Sequence, residues 1–242
     1  MLELDDVSKS FGNFLAVKKI KLKVNKGDLY GFLGPNGAGK TTTIKMITGL
    51  YKQSSGRIYI DGKDISNNDL TLKSKFGYIP DQPFLYDKLT GIEYLMFTGS
   101  LYGIDSKTLK SKIDELIDIL KFEDWIHKRT EDYSQGMKQR ITIASAFIHD
   151  PDLIIIDEPM VGLDPQSAAI VKHILVQKSQ NGKAVFVSTH SLNVVEEICT
   201  KVAIIKKGEL IFDDSLSALQ QQINEHNPTL EKLFIELTNS DE

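Results

Sequence analysis

The sequence predicts an α/β protein: a parallel sheet covered by helices on both sides, an amino-terminal antiparallel sheet, and a helical subdomain inserted midway. Three observations carry this. Strand-like and helix-like segments alternate along most of the chain, the pattern that strand–helix–strand crossovers produce. The run LIII at 153–156 is purely aliphatic, and such a strand needs cover on both faces. From Thr90 to about Ile148 the segments read as helices, with no strand between them.

Taken in order, residues 2–30 alternate apolar and polar, in LELDDVSKSFG, then AVKKIKLKV, then LYGFLG, and read as strands. Lys40 to Leu50 reads as a helix that starts after glycines and leaves at Gly49. GRIYIDGKDI at 56–65 is a strand ending in an Asp61-Gly62 turn, and FGYIP at 76–80 is another short strand. GIEYLMFTGSLYG, SKTLKSKIDELIDILKF and GMKQRITIASAFI make the helical block. LIIIDEP, a helix, AVFVST, the helix LNVVEEICT, VAIIKKG and GELIFDD then complete the sheet region. The polar tail from about residue 215 is expected to be helical.

At 242 residues with 41% hydrophobic content, the chain can bury a sizeable core, as one large domain or two small ones. Its net charge of −4 gives no global attraction to nucleic acid. The lysines of KKIKLKVNK at 18–26 read as the solvated edge of a strand. A single cysteine, Cys199 in an apolar-periodic stretch, leaves no disulfide framework or zinc pattern and suits a small core residue. The start, MLELDDVSKSFG, lacks a basic region followed by an apolar run, so no signal peptide is expected. A membrane span needs about 20 apolar residues, and no stretch supplies them.

GPNGAGKTT at 34–42 matches G-x-x-x-x-G-K-[ST] between a strand and a helix, the context this motif requires. Gly34, Gly37 and Gly39 permit a tight loop with inward N–H groups, with Pro35, Asn36 and Ala38 at the intervening positions. The helix dipole adds positive potential. Lys40 would reach the β- and γ-phosphates of ATP, Thr41 would offer a hydroxyl to Mg²⁺, and Thr42 would bond the α-phosphate. In LIIIDEP, Asp157 and Glu158 stand at the carboxyl end of a buried strand, where open parallel sheets bind ligands. Asp157 is placed to hold Mg²⁺ and Glu158 to act as general base on the attacking water.

With GPNGAGKTT, YSQGMKQR at 133–140, LIIIDEP, VGLDP at 161–165 and STH at 188–190 in this order, residues 2 to about 213 resemble the nucleotide-binding subunit of an ABC transporter. The resemblance implies a P-loop ABC ATPase fold with a RecA-like parallel-sheet core. It implies one ATPase domain over 1–213, with the helical subdomain inserted at about 84–150 and a helical tail at 214–242. In that family two ATPase domains meet head to tail, and the signature of one closes on the γ-phosphate held by the other. YSQGMKQR occupies the signature position. Ser134 can supply a hydroxyl and Gly136 a close backbone N–H, while Ser134 also suits a plain helix N-cap. Tyr133, Gln135 and Met137 depart from the usual LSGGQ; this variant resembles exporters of drugs, antibiotics, peptides or lipids.

Other positions follow from the resemblance. His190 matches the switch histidine that touches the γ-phosphate and the base. Gly162, Leu163 and Asp164 match the loop that crosses the dimer interface beside the nucleotide, and GLDP alone reads as a helix start capped by Asp164. Phe11 takes the place of the aromatic that stacks on adenine. The family's glutamine falls by spacing on Asp81, with Gln82 one residue later; either is a candidate Mg²⁺ contact, and both readings stand. Residues 82–90 are implied to touch integral membrane permease subunits, with Phe84, Leu85 and Tyr86 as possible core. The partners implied are a second copy or a related ATPase, plus the permease, with no direct nucleic acid, at the cytoplasmic face of the cell membrane. The rival is a soluble ABC ATPase in assembly or repair, but the short insert and single motif set argue against the repair and translation forms.

Overall fold

Consecutive residues of the central strands alternate between two cores, as period-two side-chain geometry requires of a sheet buried on both faces. The computed structural model describes residues 1–67, 69–226 and 234. Its strands and helices, in chain order, are β1 (Leu2–Phe11), β2 (Phe14–Val24), β3 (Leu29–Leu33), α1 (Lys40–Ile47), β4 (Ser55–Ile60), β5 (Lys63–Asp64), α2 (Leu70–Lys73) and β6 (Phe76–Ile79). There follow α3 (Gly91–Leu101), α4 (Ser106–Leu120), α5 (Gln135–Phe147), β7 (Leu153–Asp157), α6 (Pro165–Gln180), β8 (Ala184–Thr189), α7 (Leu192–Ile198), β9 (Lys201–Lys206), β10 (Glu209–Ser215) and α8 (Leu216–His226).

One sheet has the order β10-β9-β3-β8-β7-β6, the other β2-β1-β4-β5. In the first, the pairs from β9 to β6 are parallel and β10 is antiparallel to β9; the second is antiparallel throughout. Tyr30, Phe32, Leu153, Ile155 and Phe186 face a core shared with the smaller sheet and α1. Their neighbours Leu29, Leu33, Ile154, Ile156 and Val187 face a second core shared with α3 to α7. The lysine-rich segment is indeed an edge: Lys21 and Lys23 of β2 pair with Asp5 and Glu3 of β1. Cys199 is buried, and a Cβ at Gly31 would lie 2.9 Å from its sulfur, so close packing of α7 on β3 depends on that glycine.

Three expected boundaries move. The helix read to Leu50 ends at Ile47, because Thr48 caps it and Gly49 turns left-handed at φ 74°. The strand read over 56–65 is a hairpin: Asp61 and Gly62 both have positive φ, the condition for a type I′ turn, and β5 returns along β4. The helical block is broken between Leu120 and Gln135, where Thr90 and Arg129 pair as an isolated bridge. Within it, α3 starts on a full capping box, Thr90 with Glu93, and α4 is capped by Asp105. A Cβ on Gly99 would meet the Leu109 side chain at 2.3 Å, so α3 and α4 approach closely. The tail begins as α8, with Leu219 in the second core; residues 227–233 and 235–242 lie outside the described part.

Candidate active site

The strands β3, β8, β7 and β6 are neighbours, and their carboxyl ends carry the residues singled out above. β3 runs into the glycine loop. Gly37 and Gly39 have φ of 78° and 110°, which strain any side chain. A Cβ at Gly34 would lie 2.4 Å from the Ile205 carbonyl oxygen, and one at Gly39 2.8 Å from that of Ala16. The loop is therefore glycine by space as well as by conformation. Pro35, Asn36 and Gly37 are exposed, Ala38 is buried, and Thr41 and Thr42 are half-buried in the first turn of α1. No side chain caps that turn, which leaves its N–H groups for an anion.

Lys40 is buried. Its Nζ donates to the carbonyls of Gly34 (2.7 Å) and Pro35 (3.2 Å) and lies 3.9 Å from Glu158 Oε1. Burial holds its pKa below the ordinary lysine value, against the opposing pull of Glu158 and Asp157.

Asp157 pairs in register with Ser188 of β8, whose hydroxyl donates to Asp157 Oδ1 at 2.6 Å. Its other oxygen, Oδ2, is buried with no hydrogen bond of normal geometry. Burial pushes the Asp157 pKa up; the Ser188 and Thr41 hydroxyls pull it down, and the negative charges of Asp81 and Glu158 push it further up. An orphaned buried carboxylate oxygen beside a threonine hydroxyl and a second acid is a set of hard oxygen donors that suits Mg²⁺. Asp157 and Thr41 fit as its ligands, with Asp81 on the rim.

Glu158 adopts φ 51°, a left-handed conformation that costs a non-glycine residue about 1 kcal/mol or more. Three neighbours hold it there. Its N–H donates to the Ser188 carbonyl (2.9 Å). Its Oε1 accepts from the His190 N–H (3.1 Å) and lies 2.8 Å from His190 Nδ1. Its Oε2 accepts from the Thr189 hydroxyl (3.2 Å). Lys40, Asp157, Glu158 and His190 are thus brought together. The Ser188 and Thr189 hydroxyls are the partners that sequence reasoning passed over, although STH was in view.

Asp81 is half-buried and accepts from the Gln82 N–H (2.9 Å), while Gln82 is exposed. Of the two, Asp81 carries the charge, and it acts electrostatically on Asp157 together with Glu158. Phe11 is exposed at the end of β1, edge-on to Tyr51 at 5.5 Å, with the Lys9 ammonium 5.0 Å from its ring.

Ser134 caps α5, accepting from the Met137 N–H at 3.3 Å. Among the described residues, no hydrogen bond or ion pair ties it or Gly136 to the glycine loop. Gly136 instead lies against Gly162: a Cβ there would sit 3.0 Å from the Gly162 carbonyl oxygen. Asp164 caps α6, accepting from the Ser167 N–H (2.9 Å) and hydroxyl (2.8 Å), and these bonds hold its pKa down.

Tyr133 is buried against Trp125 (4.8 Å, edge-on), and its hydroxyl donates to the Trp125 carbonyl at 3.1 Å. A Cβ at Gly91 would lie 2.3 Å from that hydroxyl. The tyrosine thus fills space that a glycine at the start of α3 leaves open. Gly91→Ala is expected to lower Tm by about 3–10 °C through overpacking. Adding Tyr133→Phe should recover part of the loss, a coupling that thermal melts of both single variants and the double variant measure.

The chain matches the family model described as ABC transporter over residues 17–161. It is 38% identical to the linearmycin resistance ATP-binding protein LnrL of Bacillus subtilis (strain 168), over 87% of this chain and 68% of that one. A solved ATP-binding subunit of an ABC transporter superposes with a TM-score of 0.91 at 31% identity, covering 98% of this chain and 99% of the other. The dimeric structure of MJ0796, a bacterial ABC transporter cassette, superposes with a TM-score of 0.83 at 26% identity, covering 89% of this chain and 99% of the other. The chain belongs to the ABC transporter family. Within it, this is an ATP-binding and ATP-hydrolysing motor subunit, of a kind that dimerises and works with membrane subunits. No helix among the described residues is long and apolar enough to cross a membrane.

Proposed function

We propose that the chain powers export through separate permease subunits at the cytoplasmic face of the membrane, as a dimer with itself or a related ATPase. The observation that carries the catalytic part is the clamped carboxylate of Glu158, 3.9 Å from Lys40 and next to the buried Asp157. In this reading the loop from Gly34 to Thr42 cradles the phosphates of ATP, and Phe11 packs on the adenine. Thr41 and Asp157 would hold Mg²⁺, which would supply positive charge against that of the phosphates. Asp81, the charged one of the two candidates and the half-buried one, completes that set, while Gln82 is exposed. Glu158 takes the proton of the attacking water, and His190 keeps its carboxylate turned to the phosphate side.

Ser134, Gly136 and Asp164 act across the dimer. Ser134 is exposed at the start of α5, where its hydroxyl and the helix N-terminus would meet the γ-phosphate in the partner's loop. Closure is then favoured only while that phosphate is present, and hydrolysis releases it. Residues 1–213 serve as one ATPase unit with the helical part at about 84–150, and 214–242 as an appended tail.

The permease contact is read at 82–90 and the adjoining helix. Leu85 is buried, yet Phe84, Tyr86 and Phe97 are exposed and touch edge-on, Phe84–Tyr86 at 6.0 Å and Tyr86–Phe97 at 5.6 Å. Exposed aromatics gathered in this way mark an interaction surface. The drug-resistance relative favours export as the direction.

A tagged pull-down from gently solubilised membranes, read by mass spectrometry, tests this. Recovery of a multi-spanning membrane protein in near-equal amount is expected. Recovery of soluble partners only, with the chain absent from the membrane fraction, would instead favour an assembly ATPase.

A further inference from the structure

The two oxygens of Glu158 are held differently. Oε1 takes the His190 N–H (3.1 Å), sits 2.8 Å from His190 Nδ1 and lies 3.9 Å from the Lys40 ammonium. Among the described residues Oε2 has one hydrogen-bond partner, the Thr189 hydroxyl at 3.2 Å. Thr189 is itself fixed. It ends β8, is buried, and pairs in register with Leu33 of β3, the residue before the glycine loop. Its oxygen accepts the Ser191 N–H at 3.0 Å. With that lone pair occupied, the hydroxyl proton is free to point at Oε2. The Ser191 bond uses the oxygen as acceptor and leaves the buried O–H in need of an acceptor of its own. That donor goes to a charged carboxylate in a left-handed residue and not to a nearby backbone carbonyl, the local partner open to a threonine.

We propose that Thr189 is a positioning residue for hydrolysis: its hydroxyl sets the plane of the Glu158 carboxylate, so that Oε2 is the oxygen that takes the proton of water. Ser188, one residue earlier, grips Asp157 in the same way at 2.6 Å. Consecutive hydroxyls of β8 thereby assign the last carboxylate of β7 and the one that follows it to separate tasks. A strand side chain and the next point to opposite faces, so one hydroxyl cannot serve both acids. The left-handed turn at Glu158 swings its carboxylate within reach of Thr189. This inference rests on Glu158 acting as the base.

Thr189→Val keeps the shape and removes the donor to Glu158 together with the acceptor of the Ser191 N–H. In the full chain, steady-state ATP hydrolysis by this variant is expected to show kcat lower by about ten-fold or more, the rate equivalent of one oriented hydrogen bond to a charged group. KM for ATP should stay within about two-fold, since uniform binding is untouched. Thr189→Ala should show the same loss without a mispacked methyl, and Thr189→Ser should restore kcat. A kcat for Thr189→Val and Thr189→Ala near the parent value would overturn the proposal, as would a loss that Thr189→Ser leaves in place. Glu158→Gln assayed in parallel separates the two readings. Full turnover there removes the base assignment itself, whereas an inactive Glu158→Gln beside a fully active Thr189→Val removes only the role of Thr189.

Discussion

Glu158→Gln is expected to cut ATP turnover by about 10²–10⁴-fold, the usual worth of a positioned general base, while ATP binding survives. The amide matches the carboxylate in size, so the left-handed backbone at 158 and its N–H bond to the Ser188 carbonyl (2.9 Å) stay as they are. What goes is the basic oxygen. The ion pair with Lys40 at 3.9 Å goes too, but Lys40 keeps both loop carbonyls and its place in the phosphate seat. Binding and chemistry therefore separate. If, as proposed, the γ-phosphate that hydrolysis removes is what holds the two subunits together, the variant should accumulate closed dimers in ATP, visible as an earlier elution in size exclusion. Parental turnover would remove Glu158 from the base role, and loss of ATP binding would show that its contact with Lys40 maintains the loop.

The parts of this site legible in the sequence are those built from consecutive residues. GPNGAGKTT needs no distant partner to be recognised, because glycine spacing and the following helix produce the anion cradle locally. LIIIDEP likewise carries its own burial signal, four aliphatic residues before two acids. The illegible parts depend on neighbours far apart in the chain. Nothing near Glu158 announces its left-handed turn, which is set by hydrogen bonds to a strand about thirty residues later. Tyr133 looks like a departure in the signature until Gly91 is seen to leave room for its hydroxyl. Asp81 and Gln82 could not be ranked by spacing. In the fold Asp81 is half-buried and Gln82 is exposed. The helix read to Leu50 fails for a local reason: Gly49 was taken as its last stop signal, yet chain reversal begins one residue sooner, at the cap Thr48.

Ser134→Arg separates the site within one chain from the site that two chains make. Ser134 is exposed and caps α5 through one 3.3 Å bond, so the replacement costs the fold only about 1 kcal/mol. Among the described residues no hydrogen bond or ion pair joins it to Lys40, Asp157 or Glu158, and monomer ATP affinity should be unchanged. The start of α5 is different ground. There Gly136 lies against the Gly162 carbonyl, which a Cβ at 136 would meet at 3.0 Å. A long guanidinium at position 134 would project from the face where the partner's ATP is proposed to dock. It would hold the two surfaces apart and replace a short hydroxyl contact that only a close approach permits. The clearest setting is Glu158→Gln, whose dimers are expected to persist. Sedimentation of the Ser134→Arg/Glu158→Gln double variant in ATP should show monomer where Glu158→Gln alone shows dimer. Dimers formed equally by both would mean that YSQGM lies outside the interface, and that the exposed start of α5 serves this chain as a helix cap alone.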